Sequence, residues 1–240
     1  RASARRRSVV GVEALRRWQH RDRGLVPPAD FIPLLEETNL ISPVGAWVLE
    51  TACRQAREWR DSGLPLRMSV NISSRQFRSE SLVETVASAL LSSGLQPELL
   101  GLELTESLLV ENTENAIAVM ARFKKLGVMV SIDDFGTGYS SFGYLKQFPI
   151  DFLKVDRIFI RDLARNPKDA AIVEAIAALA RSLGIGLIAE GVEEAHQAEY
   201  LRTCYCTEMQ GWLFGRAVPA AELPKLVARI AGPELVQLRA

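Results

Sequence analysis

The sequence predicts an α/β fold in which parallel strands form a barrel, and three observations lead to this prediction. Short apolar runs alternate along the chain with longer segments of helical periodicity. The runs are apolar on both faces, as expected of parallel strands covered by helices. Each run also leads to a polar residue, and the catalytic side chains of such barrels gather at the carboxyl ends of the strands. These polar residues are Glu13, Asn71, Glu103, Asp133, Lys154, Glu190 and Gln210.

Seven apolar runs are predicted to be strands. They occupy residues 9–12, 68–70, 100–102, 128–132, 152–153, 186–189 and 212–214. A complete (β/α)8 barrel needs one more strand. We therefore expect the first strand to lie before Arg1, so that residues 1–240 form one domain that is clipped at its N-terminus and carries its core motifs at 9–223.

Helices are predicted between the strands at 30–40, 44–62, 114–126 and 167–183. The last of these has the clearest boundaries, because Asn166 suits the N-cap, Pro167 the first helical position and Gly184 the C-terminal end. Two helices between the first and second strands account for the long interval from Glu13 to Asn71.

Composition excludes several classes of function. The formal net charge is zero, which predicts no long-range attraction to nucleic-acid polymers or anionic membranes. No apolar run approaches the about 18 residues of a membrane span, and no signal peptide is evident. The three cysteines lack metal-site spacing and are expected to be structural or tolerated thiols in the reducing cytoplasm. With two histidines in the chain, a Ser-His-Asp mechanism is disfavoured.

Five carboxylates lie at or just after predicted strand ends. A single acid at such a position is usually a solvated loop residue or a helix cap, but five in one cleft repel one another and require cations. Oxygen ligands without histidine or cysteine favour Mg²⁺ or Mn²⁺, and adjacent Asp133 and Asp134 suit two ions, which can catalyse phosphodiester displacement. The candidate ligands are Glu13, Asn71, Glu103, Asp133, Asp134 and Glu190.

Lys154, Arg17 and the loop at 133–141 each allow two interpretations. A lysine is usually an exposed charge, but at the end of a strand in an acidic site it can assist the attacking water or bind a phosphate oxygen. Arg17 can bind phosphate or lie on a helix surface. The glycines of the loop indicate either a tight strand-to-helix turn or a mobile loop that moves Asp133 and Asp134.

Taken together, these residues resemble the EAL-domain family of cyclic di-GMP phosphodiesterases, which act in bacterial signalling, including the control of biofilm formation and motility. The motif that names the family is Glu13-Ala14-Leu15, continued by Arg17-Trp18. The further matching motifs lie at 30–33, 71–77, 103–107, 133–141, 144–151, 154–156, 190–193 and 210–211.

The resemblance implies a modified TIM-type (β/α)8 barrel whose N-terminal strand, with a substrate-contacting Tyr-Gln-Pro segment, is missing from this segment. It implies hydrolysis of cyclic di-GMP to linear 5′-pGpG with two Mg²⁺ or Mn²⁺ ions held by the six candidate ligands named above. Ca²⁺ is expected to inhibit, because its larger coordination sphere does not match a site for Mg²⁺.

Roles for individual residues follow from the resemblance. Lys154 and Glu190 are expected to be catalytic, with Lys154 orienting the attacking water. Glu106 is expected to anchor the 133–141 loop. The expected substrate contacts are Leu15, Arg17, Asp156, Glu193 and Gln210, with Gln210 also supporting the metal and water network. The remaining loop residues with an expected regulatory role are Phe135, Gly136, Thr137 and Gly138.

The resemblance also predicts partners and leaves one alternative function. Cyclic di-GMP is the expected ligand, and homodimerisation through the loop and an upstream GGDEF, sensor or membrane region are typical of the family. This segment is expected to be cytoplasmic without membrane contact of its own, whether or not upstream regions tether it to the inner membrane. The alternative is a catalytically inactive EAL-type receptor. Such receptors typically lose the metal acids, the lysine or the loop sequence, all of which this chain retains, so the enzyme is favoured.

Overall fold

A curled sheet of eight strands, with helices packed around it, organises the chain in a computed structural model that describes residues 2–3, 8–138, 142–163 and 165–231. The strands are β1 (Ala2–Ser3), β2 (Gly11–Glu13), β3 (Trp18–His20), β4 (Gly24–Val26), β5 (Arg67–Ile72), β6 (Leu100–Thr105), β7 (Met129–Phe135), β8 (Phe152–Val155), β9 (Gly186–Ala189) and β10 (Glu208–Met209). Strands β3 and β4 form a separate antiparallel hairpin.

The sheet has the order β1-β10-β9-β8-β7-β6-β5-β2. Seven of its strands run parallel, and β1 pairs antiparallel with β10. Because consecutive parallel strands are neighbours and are connected mostly through helices, the architecture is a partial TIM-like barrel. The predicted fold class is confirmed.

Helices cover the outer face of the sheet. They are α1 (Pro28–Glu37), α2 (Ile41–Asp61), α3 (Ser74–Phe77), α4 (Leu82–Ser93), α5 (Glu106–Glu111), α6 (Thr113–Leu126), α7 (Phe142–Leu145), α8 (Arg157–Arg161), α9 (Pro167–Leu183), α10 (Ala195–Thr203) and α11 (Leu223–Ala231), with 3₁₀ turns at Pro97–Leu99 and Ala220–Glu222. The four predicted helices correspond to α1, α2, α6 and α9.

Helix α9 shows why the sequence signals for its ends are reliable. Asn166 Oδ1 accepts a hydrogen bond from the backbone N–H of Lys168 at 3.1 Å, which satisfies one of the donors left free at a helix start. Pro167 occupies the first turn, where a missing N–H has no cost. Gly184 ends the helix in the left-handed conformation with φ of 70°.

Six of the seven predicted strands are confirmed, and the seventh is wrong. The run at 212–214 lies in a turn, and the strand before Gln210 is β10. Gly211 explains the difference, because an added Cβ would lie 2.1 Å from the carbonyl oxygen of Val192. The chain packs against this backbone and turns, and Trp212 is 59% exposed. Strand β1 and the two strands of the β3–β4 hairpin are additional to the seven predicted strands.

The segment that follows β2 is not helical. The interpretation of Arg17 as a residue on a helix surface is therefore wrong, because residues 14–17 lead directly into the β3–β4 hairpin. The edge of the Trp18 ring packs against Phe31 of α1, with a distance of 6.1 Å between ring centroids, which holds the hairpin against the first helix.

Successive side chains of a strand lie on opposite faces of the sheet, so one face packs in the hydrophobic core and the other faces the interior of the barrel. On β6, Leu100, Leu102 and Leu104 are fully buried in the hydrophobic core, while Glu103 lies on the other face. Glu103 contacts Lys154 of β8, two strands away in the sheet, so this other face is the concave interior of the barrel. Among the described residues, no helix has the length and hydropathy needed to cross a membrane.

Candidate active site

Lys154 joins three strands at the carboxyl edge of the sheet. Its side chain is 1% exposed, and its Nζ donates to Glu103 Oε2 at 2.5 Å. The same atom lies 2.9 Å from Asp133 Oδ2 and 2.6 Å from Glu190 Oε1. These carboxylates belong to β6, to β7 and to the residue that follows β9. One buried ammonium group therefore holds three of the predicted site residues together.

Glu13 accepts hydrogen bonds from two further predicted site residues. Asn71 Nδ2 donates to Glu13 Oε1 at 2.7 Å, and Gln210 Nε2 donates to Glu13 Oε2 at 2.6 Å. Both carboxylate oxygens of Glu13 thus accept hydrogen bonds from side-chain amides on other strands. The structure brings β2, β5 and the end of β10 together at this carboxylate.

Asp133 and Asp134 lie where β7 departs from regular strand geometry. The pairing of β7 with β8 shifts between Ile132 and Phe135, and Asp134 has a left-handed φ of 54°. Neighbouring residues of a regular strand have side chains on opposite faces, and this irregularity changes that alternation. The backbone N–H of Asp134 donates to Asp133 Oδ1 at 3.0 Å, and, after burial and Asp133, the nearby carboxyl of Asp156 contributes to a raised pKa of Asp134.

Three carboxylates contact the Lys154 ammonium group, and Asp134 and Glu13 lie near enough to influence the electrostatics of this cluster. The pKa of Glu190 is raised to about 7, mainly by burial, while Lys154 opposes the rise and the charges of Asp133 and Glu13 add to it. Burial and the neighbouring Asp133 raise the pKa of Asp134 to about 6. Additional positive charge in this cleft would stabilise the ionised forms of both groups.

The donor set suits hard divalent cations. Glu13, Asn71, Glu103, Asp133, Asp134 and Glu190 offer oxygen ligands, which Mg²⁺ and Mn²⁺ prefer. As they stand, no three His, Cys, Asp or Glu side chains in the described ranges are grouped as a ready metal site. Lys154 lies between three of the acids, so its ammonium group provides the positive charge in this arrangement.

Glu106 connects the start of α5 to the loop after β7. Its carboxylate is buried and its Oε2 accepts from the backbone N–H of Gly136 at 2.9 Å. Gly136 has a φ of 95°, a conformation that favours glycine, and Thr137 Oγ1 donates to Asp134 O at 2.8 Å. Phe135 is buried at the end of β7. Glu106 thus contacts the backbone of the loop, and its anchoring role stays a prediction, while residues 139–141 of the loop lie outside the described residues.

The predicted substrate contacts lie in two kinds of environment. Gln210 belongs to the Glu13 group, and Asp156 caps α8 by accepting from Ile158 N at 2.7 Å. Leu15, Arg17 and Glu193 are exposed and close in sequence to Glu13 or Glu190. Arg17 donates to the carbonyl oxygen of Arg16 at 2.7 Å.

Gln197 is a buried residue that the sequence reasoning missed. Its Oε1 accepts from the backbone N–H groups of Glu193 at 2.8 Å and Glu194 at 2.9 Å. Its Nε2 donates to the carbonyl oxygens of Ile160 at 3.1 Å and Arg161 at 3.2 Å. Gln197 therefore ties the segment after Glu190 to α8. The spacing Glu194-x-x-Gln197, which resembles a capping box, was the available signal.

The sequence also matches a known protein family over most of its length. The family model described as the EAL domain matches residues 1–217. The chain belongs to the EAL-domain family. The EAL match covers all the strands and every predicted site residue.

Two curated EAL-domain relatives share extensive sequence identity with the chain. The bifunctional diguanylate cyclase/cyclic di-GMP phosphodiesterase MucR of Pseudomonas aeruginosa is 47% identical over 221 residues, which are 92% of this chain and 32% of MucR. The cyclic di-GMP phosphodiesterase PdeR of Escherichia coli is 43% identical over 224 residues, which are 93% of this chain and 34% of PdeR. The chain thus spans about a third of the length of these relatives.

Solved EAL structures have the same fold. The PaMucR phosphodiesterase in complex with c-di-GMP superposes with a TM-score of 0.86 at 47% identity, covering 89% of this chain and 87% of that one. The EAL enzyme Bd1971 in its cAMP- and cyclic-di-GMP-bound form gives a TM-score of 0.89 at 34% identity, covering 95% of this chain and 62% of that one.

Proposed function

We propose that this EAL domain hydrolyses cyclic di-GMP to linear 5′-pGpG with the help of two Mg²⁺ or Mn²⁺ ions. The observation that carries the proposal is the convergence of five carboxylates, Asn71 and Lys154 at the carboxyl edge of one sheet. The relatives described as cyclic di-GMP phosphodiesterases support the choice of substrate and reaction.

The cations would be held by oxygen atoms from several strands. The proposed ligands are Glu13, Asn71, Glu103, Asp133, Asp134 and Glu190. When bound, divalent cations lower the pKa of water and neutralise charge that develops on the phosphate. Gln210 supports this set through its hydrogen bond to Glu13, which limits the orientations of that carboxylate.

Lys154 and Glu190 are the proposed catalytic pair. Lys154 has three N–H donors, which here meet three carboxylates, and it can direct one of them to the attacking water or to a phosphate oxygen. Glu190 is 2.6 Å from Lys154 Nζ and can accept the proton that the water loses. The water oxygen forms the new bond to phosphorus as the bond from phosphorus to the 3′ oxygen breaks, and the departing 3′ oxygen takes up a proton from solvent to become the 3′ hydroxyl of pGpG.

Substrate recognition is assigned to groups around the acidic cleft. Arg17 would bind a phosphate, and Leu15, Asp156, Glu193 and Gln210 would contact other parts of the nucleotide. Glu106 and the loop residues Phe135 to Gly138 would control the placement of Asp133 and Asp134, because Glu106 is hydrogen-bonded to the loop backbone. Homodimerisation through this loop and upstream GGDEF, sensor or membrane regions are part of the same proposal.

Chromatography of the reaction products tests the proposal directly. The protein is incubated with cyclic di-GMP and Mn²⁺ or Mg²⁺, and we expect a new peak that coelutes with pGpG. Glu13→Ala and Lys154→Ala should each abolish turnover, whereas Lys125→Ala, on the exposed side of α6, should not. Ca²⁺ alone should not support turnover.

A receptor and an enzyme give different results in this experiment. If folded protein binds cyclic di-GMP but forms no pGpG with either metal, the phosphodiesterase proposal is wrong and the receptor alternative holds. Wild-type turnover in the Lys154→Ala protein would instead refute the catalytic role of that lysine.

A further inference from the structure

The two ends of the sheet are joined by side chains. In the described part of the chain, the strand order ends at β1 on one side and at β2 on the other, with no backbone pairing between β2 and β10. Among the described residues, two side-chain contacts link this edge to the other side of the sheet. They join β10, and Gln210 directly after it, to strands β5 and β2. One is the hydrogen bond from Gln210 to Glu13, and the other is an ion pair between Arg67 of β5 and Glu208 of β10.

These two contacts lie side by side on the same inner face of the barrel. Glu208 and Gln210 are two residues apart, which places their side chains on the same side of the chain. On the other side, Arg67 is in register with Gly11, two residues before Glu13 on β2. The contacts are therefore separated along the strands by about 6.6 Å, since each residue of a parallel strand rises about 3.3 Å.

The Arg67–Glu208 pair is buried and held in place. The side chain of Arg67 is 11% exposed and that of Glu208 is 10% exposed. The Arg67 guanidinium also lies over the ring of Phe152, 4.4 Å from its centroid. Gly186 makes room for this ring, because an added Cβ would lie 2.4 Å from Phe152 Cδ1. The guanidinium is thus fixed by a carboxylate and an aromatic face.

Strand β10 is only two residues long and is paired on both sides, in parallel with β9 and antiparallel with β1. Its parallel pairing with β9 comprises two residue pairs, Glu208 with Ile188 and Met209 with Ala189. Beyond the strand, the backbone N–H of Gln210 donates to Ala189 O at 2.8 Å, and that of Val192 donates to Gln210 O at 3.0 Å. These backbone bonds hold β10 within the sheet. The distance from its inner side chains to β5 and β2 depends in addition on contacts that cross the barrel, and a buried, charge-assisted contact restricts that distance strongly.

We propose that Arg67 is a positioning residue for the active site. By holding Glu208, it fixes β10 so that the amide of Gln210 meets Glu13. The inference rests on the proposed function in one respect, since Glu13 matters for turnover only if it acts as a metal ligand. Arg67 itself lies at the amino end of β5, about 6.6 Å along the strands from the Glu13–Gln210 contact, and is neither a proposed metal ligand nor a proposed catalytic residue.

A double variant separates positioning from simple stabilisation. Arg67→Met/Glu208→Leu removes both charges, so that neither is left buried and unpaired, and such replacements are often neutral for stability. The matched control is Arg122→Met/Glu84→Leu, which removes an exposed Arg–Glu pair between α6 and α4. If the inner double variant does not fold, Glu208→Gln replaces it, because this change keeps the size of the side chain but removes the charge that holds Arg67, so that a smaller change in the same direction is expected.

The first measurement is independent of catalysis. The side-chain amide signals of Gln210 are assigned in a ¹⁵N-correlated NMR spectrum by their absence from Gln210→Ala. We expect these signals to shift in the inner variant and to stay unchanged in the surface control. Unchanged Gln210 signals in a folded inner variant would refute the proposal, whether or not the wild-type protein hydrolyses cyclic di-GMP.

The second measurement is a double-mutant cycle on kcat. The inner variant should lower kcat about tenfold with KM little changed, and Arg67→Lys should recover part of the loss. Adding Gln210→Ala to the inner variant should lower kcat by less than about twofold more, because the two changes remove the same arrangement. Full multiplication of the two losses would overturn the inference. Absence of turnover in the wild-type protein would instead count against the proposed function.

Discussion

The ammonium of Lys154 lies 2.5 Å from Glu103 Oε2, although β7 separates their two strands in the sheet. This contact crosses the concave side of the sheet, and Asp133 and Glu190 complete the surroundings of the ammonium. A lysine with 1% exposure is strongly desolvated, so its charge depends on these carboxylates. In the same way, the ionised form of these carboxylates is stabilised by the positive charge of a nearby cation.

Replacing Lys154 should affect stability as well as turnover. Lys154→Met leaves three close carboxylates without their ammonium partner, and we expect the metal-free protein to lose about 3–5 kcal/mol of unfolding free energy. Mn²⁺ should raise the melting temperature of this variant more than that of the wild type, because the ion replaces the lost positive charge. Thermal unfolding with and without Mn²⁺ measures both effects. Equal stabilisation of the two proteins by Mn²⁺ would contradict this account, and Lys125→Met is the matched surface control.

Weakening the anchor at Glu106 should reduce turnover without unfolding the protein. Glu106→Ala removes the acceptor for the backbone N–H of Gly136, so the loop that carries Asp134 loses its fixed position. We expect kcat to fall by about 10²-fold, a loss typical of a small misplacement of catalytic groups. Glu106→Gln keeps a side-chain oxygen and should lose less. Steady-state kinetics at saturating Mn²⁺ compare the two, and identical losses would show that the hydrogen bond is not what matters.

Gln197 should be important for stability. Methionine is similar in size to glutamine but cannot replace its hydrogen bonds. Gln197→Met therefore leaves four backbone groups without their buried partner, two in the segment after Glu190 and two in α8. Each such group costs about 1–3 kcal/mol unless water reaches it, so we expect a loss of about 3 kcal/mol or more in urea unfolding. The control is Gln55→Met on the surface of α2, whose side chain bonds the exposed Glu58. A loss below that of the control would refute this role.

The three thiols should differ in reactivity. Burial raises the pKa of Cys53 and of Cys206 to about 12, and burial also raises the pKa of the partly exposed Cys204. The thiolate is the reactive form, so at pH 8 a thiol reagent should modify Cys204 slowly and the other two only after unfolding. Counting modified thiols by mass spectrometry in native buffer and in denaturant checks this. Rapid modification of Cys53 in native buffer would contradict the structure.

The same pKa shifts predict how stability depends on alkaline pH. Because the folded pKa values of Cys53 and Cys206 lie above the usual value of about 8.5, the unfolded chain releases these protons first. The stability from the buried neutral thiols is therefore complete below about pH 8.5 and is lost progressively as pH rises towards 12. Cys53→Ala/Cys206→Ala should be less sensitive to pH over this range, as measured by urea unfolding at pH 8 and pH 10.

The sequence by itself determined six of the parallel strands, four of the helices and the identity of the polar residues at the strand ends. Apolar runs bounded by helical periodicity are local signals, and α9 carries its own cap residues, so these elements need no distant contact to be recognised. Parallel strands place their carboxyl ends on one edge, which is why Glu13, Asn71 and Glu103 could be assigned to one site.

Only the tertiary structure decided which of these residues meet and what holds them. The contacts Lys154–Glu103, Gln210–Glu13 and Arg67–Glu208 join residues 51, 197 and 141 positions apart, and no local pattern specifies such pairs. The run at 212–214 was apolar enough for a strand, but packing of Gly211 against Val192 turned the chain there. The left-handed φ of 54° at Asp134 is likewise a feature that the apolar pattern of its strand did not indicate.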